Sequence, residues 1–76
     1  MGSVTSSTAW VAAFAAELGV DPPSAEEVER ILSLAATAAH ASERTAAPVA
    51  CWLAARAEVD LARAQSAADA VTRAAR

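Results

Sequence analysis

The sequence predicts an all-α protein, a small bundle of about four helices. Three observations carry that reading. Apolar residues recur at helical spacing, with no alternating run that would make a strand. The two glycines and three prolines stand at the ends of those runs or in a first helical turn. Residues suited to helix N-caps precede most of the runs. Residues 1–7 are small and polar and are expected to be a disordered N-terminal segment, leaving residues 8–76 as a single helical domain.

The first helix is marked by Trp10, Val11, Phe14 and Leu18, which share one face. Ser7 or Thr8 is suited to cap it, and Gly19 stands where a left-handed residue ends a helix. Asp21-Pro22-Pro23 cannot continue it, because proline lacks the amide donor and restricts the residue before it. Ser24-Ala25-Glu26-Glu27 is a capping box that opens the second helix. Its apolar stripe is Val28, Ile31, Leu32, Ala35, Ala38 and Ala39, reaching about His40. Thr45 is expected to cap the third helix, with Pro48 in the first turn, where a missing N–H does little harm. Val49, Trp52 and Leu53 are its expected buried face. Glu58-Val59-Asp60 reads as a short break, with Asp60 capping a fourth helix lined by Leu61, Ala64, Ala68, Val71 and Ala75. No Gly or Pro marks that break, so one bent rod remains the alternative there.

Composition constrains the core. The 76 residues are 55% hydrophobic but only 4% aromatic, because 24 of them are alanine. Methyl groups bury little area each, so Trp10, Phe14 and Trp52 are expected to pin the interior, each burying about 150–250 Å². On that reading Trp52→Ala costs about 3–5 kcal/mol.

The same composition excludes most chemistry. Six arginines against nine acidic residues give a net charge of −3, which argues against nucleic acid or anionic membrane as a partner. No apolar run approaches the ~18 residues of a membrane span. A lone cysteine, Cys51, excludes an internal disulfide and suits a reducing compartment, so a cytoplasmic location without a signal peptide is expected. One His and one Cys are too few ligands for a closed zinc site in a single chain. Cys51 with His40 as a nucleophile pair is the less favoured reading, since Cys51 stands beside Val49 and Trp52 and reads as a small hydrophobe. No phosphate-cradling glycine loop occurs, and no Asp-Ser-Leu tripeptide of an acyl carrier protein. The chain is accordingly expected to be no enzyme and to hold no metal or cofactor.

What remains is the stretch joining the second and third helices. His40, Ser42, Glu43, Arg44 and Pro48 place imidazole, hydroxyl, carboxylate and guanidinium together. They are the candidate binding residues, for a protein partner or for a small anionic ligand. The simpler reading gives Glu43 and Arg44 a structural part in holding the helix hairpin.

The run Ala38-Ala39-His40-Ala41-Ser42-Glu43-Arg44-Thr45-Ala46-Ala47-Pro48-Val49-Ala50-Cys51-Trp52-Leu53, with Trp10-Val11 and Leu18-Gly19-Val20, resembles a family of small Ala-rich actinobacterial helical proteins of unknown function. Members of that family occur alone, or beside or fused to molybdenum cofactor guanylyltransferases and formate dehydrogenase accessory proteins. The resemblance implies an accessory interaction module linked to molybdenum cofactor biosynthesis or molybdoenzyme maturation, with such a protein as partner. It implies no catalytic residue. Self-association as a homodimer is the other arrangement that the methyl-rich surface suggests.

Overall fold

Local signals set each helix end in the computed structural model, which describes residues 6–75. The helices are α1 (Ser7–Leu18), α2 (Ala25–Ala41), α3 (Ala46–Ala57) and α4 (Leu61–Ala74), and the described residues contain no strand. The protein is a small all-α bundle. Ser6 rather than Ser7 or Thr8 caps α1, its hydroxyl accepting from the Ala9 amide at 3.1 Å. The rest of the expected disordered segment, residues 1–5, lies outside the described residues.

Gly19 ends α1 in the left-handed region, at φ 74°. Its amide and that of Val20 donate to the carbonyls of Ala16 and Ala15, which satisfies the last turn. The Ser24–Glu27 capping box forms in full: the Ser24 amide donates to Glu27 Oε1 at 2.8 Å and the Glu27 amide to Ser24 Oγ at 3.1 Å. Thr45 differs from expectation. It has helical φ and makes no side-chain cap bond. The amides of Ala46 and Ala47 donate instead to the carbonyls of Glu43 and Arg44, so backbone turns do the work of the cap.

The third and fourth helices are separate. Glu58 takes φ 58° and ψ 32°, the left-handed conformation that glycine usually supplies. Asp60 then caps α4, accepting from the Arg63 amide at 2.7 Å.

Packing departs from the expected core. α2 is the central element and packs against both α3 and α4, while α1 forms no comparable interface. The chain measures 46 × 29 × 18 Å, with a radius of gyration of 14.0 Å against about 11 Å for a compact chain of this length. Its buried apolar residues are Ala15, Leu34 and Ala64. Trp10, Phe14 and Trp52 do not pin the interior: they are 57%, 49% and 59% exposed. Val49 and Leu53, expected with Trp52 on a buried face, are also exposed. The physical reason is that α3 meets α2 through its alanines, such as the half-buried Ala46, Ala47, Ala50 and Ala54, which let the helices approach closely. Larger side chains on the same helix are thereby turned outward. On α2 the seated residue is Leu34, whereas Leu32 faces solvent. On α4 Ala64 is buried as expected, but Val71 is exposed.

A polar ladder fastens α4 to α2. Gln65 Nε2 donates to Thr37 Oγ1 at 2.9 Å and to Asp69 Oδ1 at 3.0 Å, and Gln65 Oε1 accepts from Ser33 Oγ at 3.2 Å.

Candidate functional site

Because α3 and α4 both lean on α2 and hardly on each other, a groove opens between them. It holds about 540 Å³, and Leu34, Ala50, Leu53, Ala64, Ala68 and Val71 are among the residues that line it. Alanines keep its walls shallow, and leucine and valine supply its larger contact area. Among the described residues, Arg63 is the one charged residue in the lining. Among the described residues Arg63 makes no ion pair; Arg30 with Glu26, at 3.2 Å, does.

Of the predicted binding residues, Ser42 lines this groove, while His40, Glu43, Arg44 and Pro48 are not among its lining residues. Ser42 and Ala46 belong to the lining, so the chain between them borders its mouth. His40, Ser42, Glu43, Arg44 and Pro48 are all exposed. Glu43 and Arg44 contribute their backbone carbonyls to the start of α3. Their side chains form no hydrogen bond or ion pair among the described residues. The segment is therefore a polar rim beside an apolar surface.

Cys51 is half-buried and carries a free thiol. The described residues contain no cluster of three or more His, Cys, Asp or Glu that could hold a metal ion. No helix among them is long and apolar enough to cross a membrane.

A second apolar surface belongs to α1. Nine of its twelve residues are apolar and Glu17 is its only charge. Trp10 and Phe14 stack on it with ring centroids 5.1 Å apart, and Leu18 continues the exposed ridge. Helices that are apolar all round are normally buried; this one is open to solvent on most of its surface.

Sequence reasoning placed Trp10, Phe14, Val49 and Leu53 correctly on helices but assigned them to the interior. It also missed Ser33, Thr37, Gln65 and Asp69, whose ladder holds the groove's floor to one wall. The spacing of Gln65 and Asp69, one turn apart on α4, was the available signal.

No curated protein and no solved structure matches the chain. A family model described as a domain of unknown function, DUF6457, matches residues 3–76. The chain belongs to the DUF6457 family.

Proposed function

We propose that the protein is a non-enzymatic helical interaction module that docks other helices through apolar surface. The observation that carries this reading is the pairing of a 540 Å³ apolar groove with an apolar helix left uncovered in the same chain. Exposed apolar patches of this kind mark interaction surfaces. The polar rim at residues 40–48 would set orientation, with Arg44 and Glu43 supplying charge at the groove's mouth. Rim charges chiefly affect association rate and register, while apolar anchors hold the complex.

The resemblance described above makes a molybdenum cofactor guanylyltransferase or a formate dehydrogenase accessory protein the candidate heterologous partner, in an accessory role around cofactor biosynthesis or molybdoenzyme maturation. Titrating the purified guanylyltransferase from the same organism into the dye-labelled chain tests this. Saturable binding is expected, weakened at least about tenfold by Leu53→Asp in the groove or by Arg44→Glu at its rim. Absence of binding would remove this partner. Binding indifferent to both substitutions would remove the groove as its seat.

A further inference from the structure

Each copy of this chain carries an uncovered apolar helix and an uncovered apolar groove. From these we infer that the protein is a reciprocal dimer, with α1 of each copy lying in the α3–α4 groove of the other. The inference rests on the docking reading above and names its occupant.

Four observations point to a second copy. The first is area. A folded monomer of 7.7 kDa exposes about 4,300 Å² by the usual scaling with mass, whereas this chain exposes 6079 Å². The difference is about 1,800 Å². Granting the residues outside 6–75 the full exposure of an unfolded chain still leaves about 900 Å². Each partner in a standard interface contributes about 800 Å².

The second is fit. α1 and α3 are both twelve residues long, or about 18 Å, so α1 can lie along the whole groove wall. The third is charge. Glu17 is the only charged residue of α1, and among the described residues Arg63 is the only charged one lining the groove. Seating one helix in the other surface brings a carboxylate and a guanidinium into one apolar contact, where an unpaired charge would be costly.

The fourth is the connection between α1 and α2. Gly19 turns the chain, and Pro22 and Pro23 then hold it extended and stiff. α1 is thereby carried away from α2 instead of folding back on its own groove. A two-fold exchange of α1 closes the assembly and covers both surfaces, so a heterologous partner reaches the groove only by displacing α1 of the second copy.

Sedimentation equilibrium on the intact chain tests this over a wide concentration range. The wild type is expected to show twice the 7.7 kDa chain mass. Phe14→Asp, which spoils α1, and Leu53→Asp, which spoils the groove, are each expected to show the single mass. Both positions are about half exposed, and circular dichroism should show the remaining helices intact. Val71→Asp, at a more exposed position in the groove, serves if Leu53→Asp fails to fold.

Mixing the Phe14→Asp and groove variants should restore dimer, because one intact α1 then meets one intact groove. A variant that still dimerises alone would show α1 packed on α1, or groove on groove, and overturn the exchange. A mixture that stays monomeric at the highest concentration would overturn it too. A wild type that stays monomeric throughout removes the second copy as occupant. Docking of a different protein would then be judged by the guanylyltransferase titration, so the two failures are distinct.

Discussion

Trp10 and Phe14 stack one helical turn apart on α1, with ring planes inclined by 27° and centroids 5.1 Å apart, yet both rings are about half open to solvent. Such a pair adds about 0.5–1.5 kcal/mol beyond the area it covers. Here it does not join a core. It fixes two large side chains as a rigid ridge, which lowers the entropy lost when another surface covers them.

A twelve-residue helix is marginal in water without tertiary packing. In the monomeric Phe14→Asp variant, the α1 amides are therefore expected to exchange with solvent much faster than those around Leu34 on α2. In the wild type at high concentration, α1 should be protected along with α2. Hydrogen exchange followed by mass spectrometry reads both, and equal protection of α1 in the two proteins would count against its dependence on a partner.

Leu34 is only 3% exposed, so Leu34→Ala should cost about 2–4 kcal/mol. Trp52 is open to solvent, with the Arg56 guanidinium 5.1 Å from its ring centroid. Trp52→Ala should therefore cost no more than about 1 kcal/mol, mainly the loss of that cation–π contact. Urea melts of the two variants at one protein concentration check the order. A larger loss from Trp52→Ala would restore it to the core.

Glu58 occupies the left-handed region without being glycine, at a strain of about 1–2 kcal/mol. Glu58→Gly relieves that strain but adds freedom to the unfolded chain, for a net gain of about 0.5–1 kcal/mol. Gly19→Ala should show the reverse sign. A Cβ there would meet no atom within 4 Å, so the loss of about 1 kcal/mol comes from backbone conformation alone. Thermal melts of the pair, scored for direction, test the assignment of both joints.

Gln65 bridges Ser33 and Thr37 on α2 to Asp69 on its own helix. Gln65→Ala should lower stability by about 1–2 kcal/mol. It should also loosen α4 more than α3, visible as faster amide exchange confined to α4. Uniform loosening of both helices would show that the ladder does not act locally.

Helix count, and most helix ends, were legible because each rests on a few neighbouring residues. Gly19, the Ser24–Glu27 box and Asp60 act through bonds to amides or carbonyls at most five positions away. Burial was less legible. In α1, Trp10, Val11, Phe14 and Leu18 share one face, but alanine fills most of the rest, so the pattern does not say whether that face meets the chain's own helices. In α3, the small residues meet α2 while Val49, Trp52 and Leu53 turn outward, the opposite of assigning the largest side chains to the interior. The candidate segment at 40–48 was visible as a mixed polar stretch. Its place at the mouth of a groove depends on how α3 and α4 lean against α2, which no local pattern encodes.

The coverage of α1 by another copy is tested most directly by the fluorescence of Trp10 in a Trp52→Phe variant, where it is the sole tryptophan. Trp52 is not part of the groove lining, so the substitution leaves the proposed contact in place. As concentration rises, Trp10 emission is expected to shift to shorter wavelength as its ring leaves water, and adding Phe14→Asp should abolish the shift. Emission that stays at the solvent-exposed wavelength across the whole range would contradict the exchange of α1.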